Sequence, residues 1–203
     1  MEEIGLFPLG IVLLPTEVVP LHIFEERYRE LIGECLELGQ EFGLVLADEG
    51  GVREIGTRAR VAEVLERFDD GRLNVLVQGG ERFRVERLTH GRSFPTAEVE
   101  PLEDEWDEPD AGAAERVAEA FRALAAAAGA ETEEPDLDSP RFSFEVAARV
   151  ELALDAKQEL LELRSEPVRR ERVHELLDAA REGLLAARRL GEHAKKNGSR
   201  PSE

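Results

Sequence analysis

The spacing of apolar residues changes once along this chain, near residues 103–110, and that change limits what the chain can fold into. Before it, short apolar runs are separated by turn residues, the pattern of strands. After it, apolar residues return every three or four positions, the pattern of helices with one buried face. The boundary, Glu103-Asp104-Glu105-Trp106-Asp107-Glu108-Pro109-Asp110, is an acidic linker. A chain of 203 residues ordered this way is expected to be α+β. The expected parts are a β-rich unit over 1–105, an α-helical bundle over 110–191 and a flexible tail over 192–203.

In the front part, Ile4–Leu9 and Glu17–Phe24 read as strands joined through a bend at Pro15. Glu17–Phe24 is apolar almost throughout, as expected of a strand covered on both faces. Pro20 has no N–H to donate and belongs at an edge or bulge. One helix interrupts the strands: Tyr28, Leu31, Ile32, Cys35 and Leu36 recur at helical spacing from Glu25 onward, and Gly39 is placed to end it. Phe42–Ala47 is a buried strand, and Gly56–Phe68 a long one whose apolar phase slips near Ala62, predicting a bulge. Asp69-Asp70-Gly71 is a hairpin signal leading into Arg72–Gln78. Gly79-Gly80 is expected to turn the chain into Glu81–Leu88, and Thr96–Leu102 closes the set. Six or seven hairpin-connected strands with one early helix predict a small twisted barrel or sandwich.

Behind the linker, Asp110 is placed to cap a helix bearing Val117, Phe121, Leu124 and Ala128 before Gly129, and residues 129–140 form a polar connection. Ser143 is expected to cap a helix carrying Val146, Ala147, Val150 and Leu154. Asp155 to Gln158 has the form of a capping box for a short helix with Leu160, Leu161 and Leu163. Ser165 and Pro167 open the last helix, striped by Val173, Leu176, Leu177, Ala180 and Leu184.

The formal net charge of −19 makes the overall field repulsive to nucleic acids and anionic membranes, so neither is expected as a partner. The front 109 residues hold 25 acids against 11 bases. One cysteine, Cys35, allows no internal disulfide. The N-terminus begins with two acids and its apolar run is broken by Pro8 and Pro15, unlike a secretory signal, so a cytoplasmic location is expected. There is no phosphate-binding glycine loop, and His22, His90, His174 and His193 stand at no metal-ligand spacing with each other or with Cys35. The serines fall at helix starts (Ser139, Ser143, Ser165), in a loop (Ser93) or in the tail (Ser199). Cys35 lies on the buried stripe of its helix. No catalytic, metal or cofactor residue is assigned, and no cofactor is expected.

What packing alone does not require is the aromatic, proline-punctuated first forty residues. His22, Phe24, Arg27 and Tyr28 flank a strand-to-helix corner. Either Phe24 and Tyr28 fasten the helix to the sheet while His22 bonds locally, or the corner offers anchors for an extended peptide.

These residues also carry a resemblance. Phe7-Pro8-Leu9, Pro15, Pro20 to Glu25, Arg27-Tyr28-Arg29, Gly56-Thr57 with Ala59, and Asp70-Gly71 through Val75 to Gly79 and Arg82-Phe83 resemble the amino-terminal domain of the ATP-dependent Lon proteases. The run His22-Ile23-Phe24-Glu25 with Arg27-Tyr28-Arg29 is especially similar to stand-alone Lon substrate-binding-domain proteins. Lys157 to Glu162, with Arg172, Val173, Leu176 and Leu177, resembles the helical segment that follows. The resemblance implies a PUA-like β-barrel with a helical bundle behind it, and recognition of protein segments without ATPase or protease chemistry. It points to polypeptide clients or a partner protein. Two alternatives stay open: an RNA-binding module using Arg53, Arg58, Arg60, Arg82, Arg84 and Arg87, and a small hydrolase with a dispersed site.

Overall fold

The computed structural model describes residues 2–108, 110 and 112–198, with residues 191–198 described by backbone alone. The front part contains β1 (Glu2–Leu9), β2 (Val18–Ile23), α1 (Glu26–Leu38), β3 (Phe42–Asp48), β4 (Gly51–Arg67), β5 (Leu73–Thr89) and β6 (Thr96–Pro101). The back part contains α2 (Ala113–Ala128), α3 (Phe142–Ala147), α4 (Leu154–Glu162) and α5 (Glu166–Gly198). The helix thus runs into the segment expected to be a tail, and residues 199–203 lie outside the described residues.

The architecture is mixed, with a six-stranded sheet in the order β2-β5-β4-β3-β1-β6 and a second pairing of β6 onto β5. β1 and β3 run parallel, Leu6 opposite Gly43, and the other pairs are antiparallel. The expected small barrel is not a clean one. β6 joins β5 only over Phe83–Thr89, whereas Leu73–Gln78 of the same strand is flanked by β2 and β4 in a three-stranded arm. The Asp70-Gly71 hairpin holds, with Gly71 at φ 84° and Phe68 N–H donating to Arg72 O at 3.0 Å. The phase slip near Ala62 is a register shift between Val61 and Glu63.

Two expectations for the sheet fail for physical reasons. Gly79-Gly80 is not a turn: β5 continues through it. The backbone at Gly79 is crowded, since a Cβ there would lie 2.2 Å from the Leu14 carbonyl oxygen. Gly79 also exchanges 2.9 Å backbone bonds with Thr16 and Glu17, so the glycine admits a close crossing of the β1–β2 connection. β2 is not covered on both faces. Val19, Leu21 and Ile23 turn inward, while Val18, Pro20 and His22 are exposed.

One apolar cluster lies between the arm and α1, from Ile23, Leu73, Val75 and Val77 to Leu31, Ile32 and Cys35. A second joins Val12, Leu14, Leu46 and Ile55 of the front part to Val117, Phe121, Phe142, Leu160 and Val173 of the helices. The junction has a polar centre. Arg169 of α5 is wholly buried (0% exposed) and bonds Asp104 and Glu166, with 2.5 Å contacts to each. Arg82 of β5 bonds Asp104 as well and donates to the carbonyls of Leu161 and Leu163, both at 2.7 Å. Burial lowers the Arg82 pKa, while Asp104 opposes the shift. Ser143 is not a helix cap: its hydroxyl donates to Glu166 at 2.6 Å and accepts from Arg169 Nε at 2.8 Å inside α3. Asp155 is not a cap either. α4 starts one residue earlier, so Asp155 falls in its first turn.

Candidate functional site

β2 ends at Ile23, which is buried, so the next residue must leave the core. Phe24 does so at 61% exposure. Glu25 is extended at φ −70°, ψ 135°, and its carbonyl accepts the N–H groups of Tyr28 and Arg29 to start α1. The corner is therefore short and fixed by backbone bonding.

The four residues singled out in the sequence separate at this corner. His22 and Phe24 face outward with ring centroids 5.9 Å apart and planes 21° from parallel. Phe68, from the end of the β4–β5 arm, meets His22 edge-on at 6.0 Å. Phe68 belongs to this platform but was not among the sequence candidates. Its signal was the hairpin, which brings the end of β4 beside Asn74, the residue opposite His22. Arg72 stacks over Phe68 at 5.0 Å. Tyr28 goes inward: it is 5% exposed, packs on Phe7 at 4.2 Å, and burial raises its pKa. Arg27 covers the Tyr28 ring at 4.5 Å and bonds Glu25 at 2.9 Å.

A short polar relay orients the imidazole. Asn74 Nδ2 donates to Glu66 Oε2 at 3.0 Å, which turns Asn74 Oδ1 toward His22 Nδ1 at 2.6 Å. The Nδ1 atom must then be the donor, and in the neutral ring Nε2 is left as an acceptor. Among the described residues β2 pairs only with β5, so its other edge is an unpaired strand edge beside the platform. Pro20, within β2, has no N–H to donate, so the edge strand carries one donor fewer.

Other groups with chemical potential are placed otherwise. Cys35 is buried, and burial reinforced by Glu34 pushes its thiol from 9.0 up to about 11, unlike an activated nucleophile. Of the six arginines an RNA surface would use, Arg53, Arg58, Arg82 and Arg87 pair with carboxylates and Arg60 bonds Gln78. An apolar groove of about 560 Å³ lies in the helical part, lined by Phe121, Leu124, Val150 and Leu184. Among the described residues no helix is long and apolar enough to cross a membrane.

The chain has relatives in sequence and in fold. The Lon protease of Escherichia coli K12 is 28% identical over 210 residues, covering 96% of this chain and 27% of that protein. The Lon protease of Brevibacillus choshinensis is 26% identical over 212 residues, again covering 27% of its length. The chain thus spans about a quarter of these proteins. The crystal structure of a Lon N-terminal domain protein from Xanthomonas campestris superposes with a TM-score of 0.63 at 28% identity, covering 88% of this chain and 98% of that one. The N-terminal domain of the Mycobacterium avium complex Lon protease shares the fold at a TM-score of 0.64 and 19% identity, with the same coverage. The family model for the ATP-dependent protease La (LON) substrate-binding domain matches residues 3–179, and the chain belongs to that family.

Proposed function

We propose that this chain is a non-catalytic protein-binding module that engages exposed or extended polypeptide segments along β2, in protein quality control. The observation that carries this reading is the outward-facing platform of His22, Phe24 and Phe68 at the end of a strand with an unpaired edge. A strand edge supplies main-chain hydrogen bonds whatever the client sequence, and aromatic rings supply apolar contact at little cost in side-chain entropy. The corner is held in place beforehand by Tyr28 in the core and by the His22–Asn74–Glu66 relay, which lowers the ordering cost of binding. Arg27 lies at the margin of the surface. The PUA-like description of the sheet, the cytoplasmic location and the lack of catalysis belong to the same proposal. Family membership supports a recognition role, and because the match is to the substrate-binding domain the ATPase and protease activities of full-length Lon are not carried over.

The test is capture of a reduced, carboxymethylated protein by the intact chain and by Phe24→Ala and His22→Ala. Either substitution should weaken capture about tenfold, the scale of an interface anchor. Undiminished capture by both variants would remove the platform from the function.

A further inference from the structure

Trp106 is the sole tryptophan of the chain and is 85% exposed. It does not sit on a loose loop. Just before it, Leu102 N–H donates to Arg82 O at 3.0 Å, Asp104 is gripped by Arg82 and Arg169, and Arg164 Nε donates to Glu103 O at 3.1 Å. Glu105 N–H donates to Arg164 O at 2.7 Å. Just after it, Asp110 accepts from Gly112 N–H at 3.0 Å and pairs with Arg116 at 2.9 Å. A large apolar ring is therefore presented to solvent directly after a backbone pinned through residue 105, the preorganised form of an interface anchor.

Its surroundings define the partner. Residues 103–110 hold six acids and no base. Arginines of the chain neutralise Asp104, Glu105 and Asp110, and Asp107 is half-buried, while Glu103 and Glu108 are exposed with no ion pair among the described residues. We infer that Trp106 and its flanking acids form a second docking element, for a protein surface that carries an apolar slot rimmed by arginine or lysine. A second copy, at net charge −19, would set acid against acid, and nucleic acid would be repelled. The element is separate from the β2 platform: Arg82 and Asn74, which mark the two places on β5, are about 26 Å apart along an extended strand.

The lone tryptophan makes its own reporter. The intact chain is titrated with an amphipathic helical peptide bearing a leucine face and an arginine face, and with the same peptide carrying glutamate for arginine. Expected are a blue shift of Trp106 emission and protection from acrylamide with the arginine peptide only. Labelled-peptide anisotropy should show about tenfold weaker binding by Trp106→Ala. Two results would overturn the inference: equal affinity for Trp106→Ala, which would reduce the effect to bulk charge, and a concentration-dependent blue shift without peptide, which would make a second copy the occupant. Failure here leaves the β2 proposal untouched, because that proposal is read from Phe24→Ala.

Discussion

At its Arg82 end, β5 presses into the helical part, where a buried guanidinium is matched by Asp104 and two main-chain carbonyls. At its Asn74 end the same strand reaches an exposed imidazole and an exposed carboxylate through a single relay. Both ends bury apolar residues, Leu73, Val75 and Val77 at the Asn74 end and Phe83 beside Arg82. What differs is the fate of the polar residues. At one end the buried Arg82 fastens two parts of the chain, whereas at the other the polar groups face solvent beside the exposed His22 and Phe24 and the half-buried Phe68. A polar side chain on a strand is thus a fastener or a contact surface according to what lies across from it.

This contrast can be broken by substitution. Arg169→Ala should have the largest effect, a loss of about 3–5 kcal/mol, because it leaves Asp104 and Glu166 short of a buried partner. Urea unfolding reads this directly, and a loss under 1 kcal/mol would mean that the junction is not the fastening point. Tyr28→Ala should cost about 3 kcal/mol, since the ring packs on Phe7 within the α1 core, and the fluorescence-independent far-ultraviolet melt should fall accordingly. Cys35, in the same core, predicts a pH effect. Its folded pKa of about 11 stands above 9.0, so the contribution is intact below pH 9 and is lost as pH rises toward 11, where the unfolded thiol ionises first. Cys35→Ala should flatten stability across that window. Phe24→Ala should have the smallest effect on stability, within about 0.5 kcal/mol, while lowering client capture. A large stability loss there would place Phe24 among the fasteners and erase the distinction between the two ends.

The legible features were local. Gly39 and Gly71 took positive φ where the helix stop and hairpin required it, and the α1 stripe already grouped Tyr28 with Leu31, Ile32 and Cys35. Tyr28 as a contact residue therefore conflicted with a pattern visible in the sequence itself. Phe24 and His22 were legible as outward residues only through the corner. Phe68 was not, because its neighbour is set by strand register 46 residues away and not by spacing. The junction was also hidden. Arg169 and Asp104 are 65 residues apart, and Ser143, which local capping rules assign to a helix start, is claimed by Arg169 and Glu166 instead. Gly79-Gly80 misled for a related reason: the crowding that demands glycine comes from the Leu14 backbone, a crossing that composition does not announce.

The length of α5 has a mechanical side. Its 33 residues amount to a rod of about 50 Å, roughly twice the span of α2, and its base is Arg169. A load applied to the far end works as on a lever, with Asp104 and Arg82 as the fulcrum. Val173 and Leu177, in the next two turns, belong to the cluster that holds Leu14, Leu46 and Ile55, so a torque delivered at the far end reaches the sheet through this apolar contact as well as through the charged side chains.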